Sequence, residues 1–308
     1  MRIVALVVAA VVVLVVAFLM IFLRRQTISY ATRWVGPPQE STDWAPLPGE
    51  PDLHLVAVGD MGDSGRRSDS VAAAVSRVDE AQPIDDLLLL GDNVYPDGDP
   101  DRIPETVFDP YAAVLEHADL LAIIGNHDVM GGRADEQLEV LGQSGNRWAV
   151  EQADTLVVGL DSNELLRDGE EQLDWLDRTL ADSGATWRIV AVHHPPYSAG
   201  YQGSSLRVRE QLAPILERHG VQLVLSGHDH DYQRSTTMDG VNYVVSGAGS
   251  GTRRTGRSDF TAESFAWLHF TDIGVYEDRM VVRSVSEDLE MADQVEIAPD
   301  GSVTELGP

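Results

Sequence analysis

The chain has 308 residues, a formal net charge of −28 and no cysteine, and every one of its 22 basic residues is arginine. Disulfides and zinc–thiolate sites are excluded outright. A surface this acidic repels phosphate backbones, so no nucleic acid is expected as a partner.

From Ile3 to Leu23 run 21 consecutive apolar residues, bounded by Arg2 and by Arg24-Arg25. At about 1.5 Å per residue such a helix reaches roughly 30 Å, the thickness of a hydrocarbon core. A cleaved signal has a shorter apolar core ending at a small-residue site, and none follows Leu23. Residues 1–25 are therefore expected to be a single-pass transmembrane anchor, with the lipid bilayer as its partner. Residues 26–51 carry Gly36-Pro37-Pro38 and Pro46-Leu47-Pro48-Gly49 without helical or strand period, which reads as a linker or a strap on the domain surface. The remainder, residues 52–308, is long enough to bury one large core.

Four apolar, strand-like runs then end in polar clusters: Leu55-Val56-Ala57-Val58 before Gly59-Asp60-Met61-Gly62, Leu87-Leu88-Leu89-Leu90 before Gly91-Asp92-Asn93-Val94-Tyr95, Leu121-Ala122-Ile123-Ile124 before Gly125-Asn126-His127-Asp128, and Val221-Gln222-Leu223-Val224-Leu225 before Gly227-His228-Asp229-His230. A fifth cluster is Val192-His193-His194-Pro195. Ligands gather at the carboxyl edge of an α/β sheet because loops from several parallel strands meet there. Helical periodicity marks 68–78, 105–116, 170–181 and 206–218, the last expected to be interrupted at Pro214. The final third is strand-like over 241–246, 265–270, 280–285 and 294–297, and the run Gly247-Ala248-Gly249-Ser250-Gly251 is placed near the clusters.

The clusters supply carboxylate, amide, phenol and imidazole donors and no sulfur, a set suited to hard or borderline cations. Asp92 has two carboxylate oxygens, enough to bridge two ions, and paired cations clamp the attacking and leaving oxygens of an in-line displacement at phosphorus. A Tyr95 phenolate forms only on a strongly acidic cation, since a phenol otherwise ionises near pH 10. Single histidines beside apolar runs are ordinarily hydrogen-bonded core or surface residues, and His54, His117, His219 and His269 are read that way.

In their order and joint occurrence the five clusters resemble the calcineurin-like metallophosphoesterase superfamily and, within it, the purple acid phosphatases. The superfamily's usual first cluster is Asp-x-His; here Gly62 stands two after Asp60, and Tyr95 follows Asp92 by three, the two differences that mark the purple branch. The resemblance runs from Leu53 to Phe270 and takes in Gly159-Leu160-Asp161-Ser162. It implies an α/β (α+β) four-layer sandwich of two β-sheets flanked by helices, here preceded by one transmembrane helix, in the compact single-domain form.

By that resemblance an iron(III) is held by Asp60, Asp92, Tyr95 and His230, and a divalent iron, zinc or manganese by Asp92, Asn126, His193 and His228. His127 contacts the phosphate or leaving group, Asp128 orients its ring, and His194 supports the ligand His193 from behind. Two departures stand out: no further histidine occurs in 199–203, and Gln233 replaces the usual Glu. The expected activity is hydrolysis of phosphate monoesters by metal-bound hydroxide. The alternatives are a phosphodiesterase of the same superfamily, acting on cyclic nucleotides or lipid headgroups, and a catalytically silent tethered binding domain. Because enzymes of this kind are mostly exported, the catalytic domain is expected outside the cytoplasm, against a weak opposite pull from the flanking arginines.

Overall fold

A computed structural model describes residues 33–307. The expected anchor, residues 1–25, lies outside the described residues, and among those described no helix is long and apolar enough to cross a membrane. The strap forms β1 (Arg33–Val35) and β2 (Thr42–Asp43). The domain proper then alternates strands and helices: β3 (Leu53–Val58), α1 (Arg66–Ala81), β4 (Asp86–Leu90), β5 (Asp119–Ile123), α2 (Ala134–Val140), β6 (Trp148–Gln152), β7 (Thr155–Leu160), α3 (Ser162–Leu165), α4 (Glu170–Asp182), β8 (Trp187–Val192), α5 (Leu206–Arg218) and β9 (Leu223–Ser226). Strands alone follow: β10 (Tyr232–Ser235), β11 (Asn242–Ser246), β12 (Thr255–Arg257), β13 (Thr261–Phe265), β14 (His269–Val275), β15 (Met280–Ser286), β16 (Glu290–Ile297) and β17 (Val303–Gly307).

One sheet has the order β17-β16-β15-β14-β3-β4-β5, with β2 added on β16; the other has the order β13-β10-β11-β9-β8-β7-β6. Side chains alternate between two covered faces, which explains why β3 and β4 are buried throughout. Leu55, Leu88 and Leu90 face Ile189 and Leu225 of the other sheet in one shared core. Val56, Leu87 and Leu89 point the opposite way, onto Val71, Val75 and Val78 of α1. On the far side Val158, Val190 and Val224 meet Leu176 and Leu180 of α4 and Leu212 and Leu216 of α5. Two sheets packed face to face with helices outside make the four expected layers.

The strap is tied down rather than free. Its β1 pairs with β12, Leu47 is buried beside Tyr276 and Val281, and the Trp44 indole donates to Asp272 at 3.2 Å. Three secondary-structure expectations change. The helix expected over 105–116 is a series of single turns, because Pro104 and Pro110 remove donors and restrict the residues before them. In contrast α5 continues through Pro214, which is exposed, so the carbonyl it frees faces water. The strand expected over 265–270 is two strands: β13 ends at Phe265 in one sheet and β14 begins at His269 in the other, with Ala266-Trp267-Leu268 crossing between them.

Candidate metal centre

Strands β3, β4 and β5 are mutually parallel, as are β7, β8 and β9, so the loops after β3, β4, β5, β8 and β9 open at strand carboxyl ends. All five clusters sit there, including the one after β8, whose last four residues, Ile189-Val190-Ala191-Val192, are themselves an apolar run. Asp60, Asp92 and His228 each adopt positive φ (57°, 53° and 72°), an uncommon conformation for residues with a Cβ, each directly after a glycine. The glycines are needed for closeness. A Cβ on Gly125 would lie 2.2 Å from Asp92 Oδ1, and one on Gly62 would lie 2.5 Å from the Val94 nitrogen. No histidine side chain fits at position 62, and Tyr95, whose N–H donates to the Gly62 carbonyl at 2.9 Å, enters the cluster from the neighbouring loop instead.

Asp92 stands between two groups of donors. On one side its Oδ2 lies 3.3 Å from Tyr95 Oη, which is also 3.1 Å from Asp60 Oδ1 and 3.2 Å from His230 Nε2. On the other its Oδ1 lies 3.4 Å from His193 Nε2, which in turn is 3.2 Å from Asn126 Oδ1. The His228 ring lies 5.2 Å from that of His193, on the second side, so the two histidines of the last cluster do address different sides of Asp92. His193 donates Nδ1–H to the Leu90 carbonyl at 2.8 Å, which turns Nε2 toward the cluster.

The electrostatics of this group ask for positive charge. Burial, then the Asp60 and Asp92 carboxylates, push the Tyr95 phenol far above its ordinary range, so it does not ionise without a cation. Burial disfavours charge on His193, yet Asp92 and Asp60 outweigh it and raise the ring to about 10. Burial followed by the neighbouring His194 and His193 holds His228 well below its ordinary value, a neutral ligand in waiting. Asp60, Asp92 and His193 are all buried and place ligand atoms within 4.8 Å of one another. Two buried carboxylates facing a half-buried phenol fit a cation between them, and the all-oxygen-and-nitrogen donor set suits a pair of hard or borderline ions.

A calcineurin-like phosphoesterase family model matches residues 52–232. The chain belongs to the calcineurin-like phosphoesterase family. It is 28% identical to purple acid phosphatase 7 of Arabidopsis thaliana over 270 residues, covering 76% of this chain and 79% of that one. It is 30% identical to tartrate-resistant acid phosphatase type 5 of Homo sapiens over 241 residues, covering 65% of this chain and 74% of that one. In fold it resembles the lupin purple acid phosphatase PPD1, with a TM-score of 0.71 and 17% identity over 82% of this chain and 55% of that one. GAP50, the anchor in the inner membrane complex of Plasmodium, superposes with a TM-score of 0.70 and 16% identity over 84% of this chain and 89% of that one. The chain is thus a phosphoric ester hydrolase whose family carries a dinuclear metal centre.

One supporting residue of this phosphoesterase does something other than expected, and a second gains a partner. Asp128 does not orient His127: it is fully buried and accepts from the backbone N–H groups of Gly125, Asn93 and Val94 and from the Gln137 amide, so it pins the β4 and β5 loops to each other. The His127 ring is held instead by its Nδ1–H, which donates to the Pro96 carbonyl at 2.6 Å. His194 is bonded at Nδ1 to Ser162 Oγ at 2.7 Å, and that same oxygen accepts the His194 backbone N–H at 3.1 Å. Ser162 lay inside a motif noted in the sequence, but nothing in the motif says which side chain it holds.

The glycine-rich run does reach the site, through Ser250 Oγ donating to the Asp60 carbonyl at 2.6 Å. Gln233 bridges Ala199 N–H, Ser198 Oγ and Asp231, tying the 198–203 loop to the last cluster. The remaining histidines stay clear of the cluster. His54 bonds Asp272 at 2.8 Å, His117 bonds Asp79 at 2.9 Å, His219 bonds Asp177 at 2.6 Å, and His269 bonds the Trp267 carbonyl at 3.1 Å.

Proposed function

We propose that the protein is a membrane-anchored, binuclear-metal phosphatase acting on phosphate monoesters. One observation carries this reading: the two oxygens of Asp92 are divided between two donor groups, Asp60, Tyr95 and His230 on one side and Asn126, His193 and His228 on the other. The first group, with its phenol, suits iron(III); the second suits divalent iron, zinc or manganese. When bound, the two ions supply Lewis acidity toward the phosphoryl group and acidify water to serve as the nucleophile.

The chain's own residues do the rest. Asp92 fixes the spacing of the two groups and is itself fixed by the His127 backbone N–H at 2.9 Å. The His127 ring packs edge-on against Tyr95 with centroids 4.7 Å apart, and its Nδ1 is committed to Pro96, so Nε2 is the atom that gives a proton to the departing alkoxide. Assayed side by side, a chromogenic phosphate monoester is expected to turn over faster than the corresponding diester. A preference for the diester would favour the phosphodiesterase alternative, and turnover of neither would favour a silent tethered domain.

The anchor belongs to the same proposal, with the catalytic domain outside the cytoplasm. A polypeptide beginning at Thr27 is expected to be soluble and active, because every proposed ligand lies at or after Asp60. The full-length protein is expected to stay with membranes through a high-salt wash, since about 20 apolar side chains hold by hydrophobic transfer and not by screened charge. Protease added to intact spheroplasts should remove the catalytic domain. Recovery from the medium of a product shortened to begin after Leu23, when the full-length chain is expressed, would show a cleaved signal instead.

A further inference from the structure

Beside the donor group that holds His228 lies a cavity of about 230 Å³, walled by Leu166, Leu206 and the 202–205 backbone and reaching from His194 and His228 to Arg207. The geometry points to a leaving-group subsite for phosphomonoesters whose alcohol part is a small apolar group carrying a second anion, and to Arg207 as the residue that selects it. This rests on the phosphatase reading above and names its substrate class.

Three observations support it. The first is charge. In a chain of net charge −28, arginines such as Arg147, Arg218, Arg234 and Arg283 are spent on carboxylate partners. Arg207, like several other arginines, forms no such ion pair among the described residues, and it is the one that lines this cavity; it donates to the Arg167 carbonyl, which holds one guanidinium nitrogen and leaves the other donors for a ligand. A guanidinium recognises a carboxylate or phosphate through paired donors.

The second is His194, 7% exposed and lining the cavity, with no hydrogen bond at Nε2. The Ser162 hydroxyl already accepts the His194 backbone N–H, and among the described residues its own proton has only His194 Nδ1 to go to. That leaves Nε2 as the ring nitrogen without a protein partner, on a side chain that lines the cavity. The third is the amino terminus of the 13-residue helix α5, which forms one wall, with Ser205 as its unbonded cap, and favours negative charge. The segment leading into that helix is fixed by buried Asp229, which accepts the Gln202 N–H at 2.6 Å and the Gly203 N–H at 2.9 Å.

The test compares benzylphosphonate with its 3- and 4-carboxy derivatives, none of which can be hydrolysed, by calorimetric binding to the purified metal-loaded protein. One of the carboxylated compounds is expected to bind at least about tenfold more tightly than benzylphosphonate, the worth of one charge-assisted pair. Arg207→Leu should abolish that ratio, and Arg207→Lys should keep part of it. The kcat/KM ratio of carboxyphenyl phosphate to phenyl phosphate should fall in parallel. Equal affinities in the wild type, or a preference that survives Arg207→Leu, would overturn the subsite. Failure of the wild type to hydrolyse phenyl phosphate would instead overturn the phosphatase reading, and the binding ratio would be unaffected by that outcome.

Discussion

Asp92→Ala is expected to cost both metal ions and at least about 10³-fold in monoester hydrolysis. The carboxylate faces both donor groups, 3.3 Å from Tyr95 Oη and 3.4 Å from His193 Nε2. Its removal separates two sites that share it, and the rate loss follows because Lewis-acid stabilisation of the transition state is worth several kcal/mol, with each 1.36 kcal/mol a factor of ten. Metal content by elemental analysis and rate on one chromogenic ester check it together, with circular dichroism showing that the variant folds. A variant that keeps two ions per chain would show that some other residue bridges them.

His127→Ala is expected to give the opposite pairing, with metals retained and the rate down by roughly 10² to 10⁴. The ring touches Tyr95 at its edge and the Pro96 carbonyl through Nδ1, and it bonds to none of the proposed ligand side chains. If Nε2 protonates the departing alkoxide, the loss shrinks as the leaving group becomes more acidic, so a series of substituted phenyl phosphates should show a steeper dependence in the variant than in the wild type. Loss of metal from this variant would place His127 among the ligands, and an equal loss across the series would remove its role as an acid.

The sequence made the candidate cluster legible because residue types able to ligate a metal recur in fixed order after strand ends, a signal that survives without knowing the strands' positions. Asp60, Asp92, Tyr95, Asn126, His193, His228 and His230 all arrive where the loops converge. The substitution of Gly62 for a histidine was visible as a letter, but its cause was not: the Val94 nitrogen occupies the space a side chain would take. What stayed hidden was partnership across long sequence separations. Asp128 follows His127 directly, which invites pairing the two, yet its partners are Asn93, Val94 and Gln137.

The same limit applies to Ser162, 32 residues from His194, and to Arg207, which became notable only once a cavity was seen beside it. At the level of elements, the run 265–270 read as one strand because its apolar pattern continues through the point where the chain changes sheets. Hydrophobic period reports burial and is silent on which sheet does the burying.

The measurement that tests the account most directly is elemental analysis of the purified wild type together with its visible absorption spectrum. Close to two metal ions per chain are expected, one of them iron, with a phenolate-to-iron(III) charge-transfer band from Tyr95 that Tyr95→Phe bleaches while some hydrolysis remains. A colourless, iron-free protein with full activity on manganese would contradict the assignment of Tyr95 to an iron(III) site, and a fully active protein with a single ion per chain would contradict the binuclear centre itself.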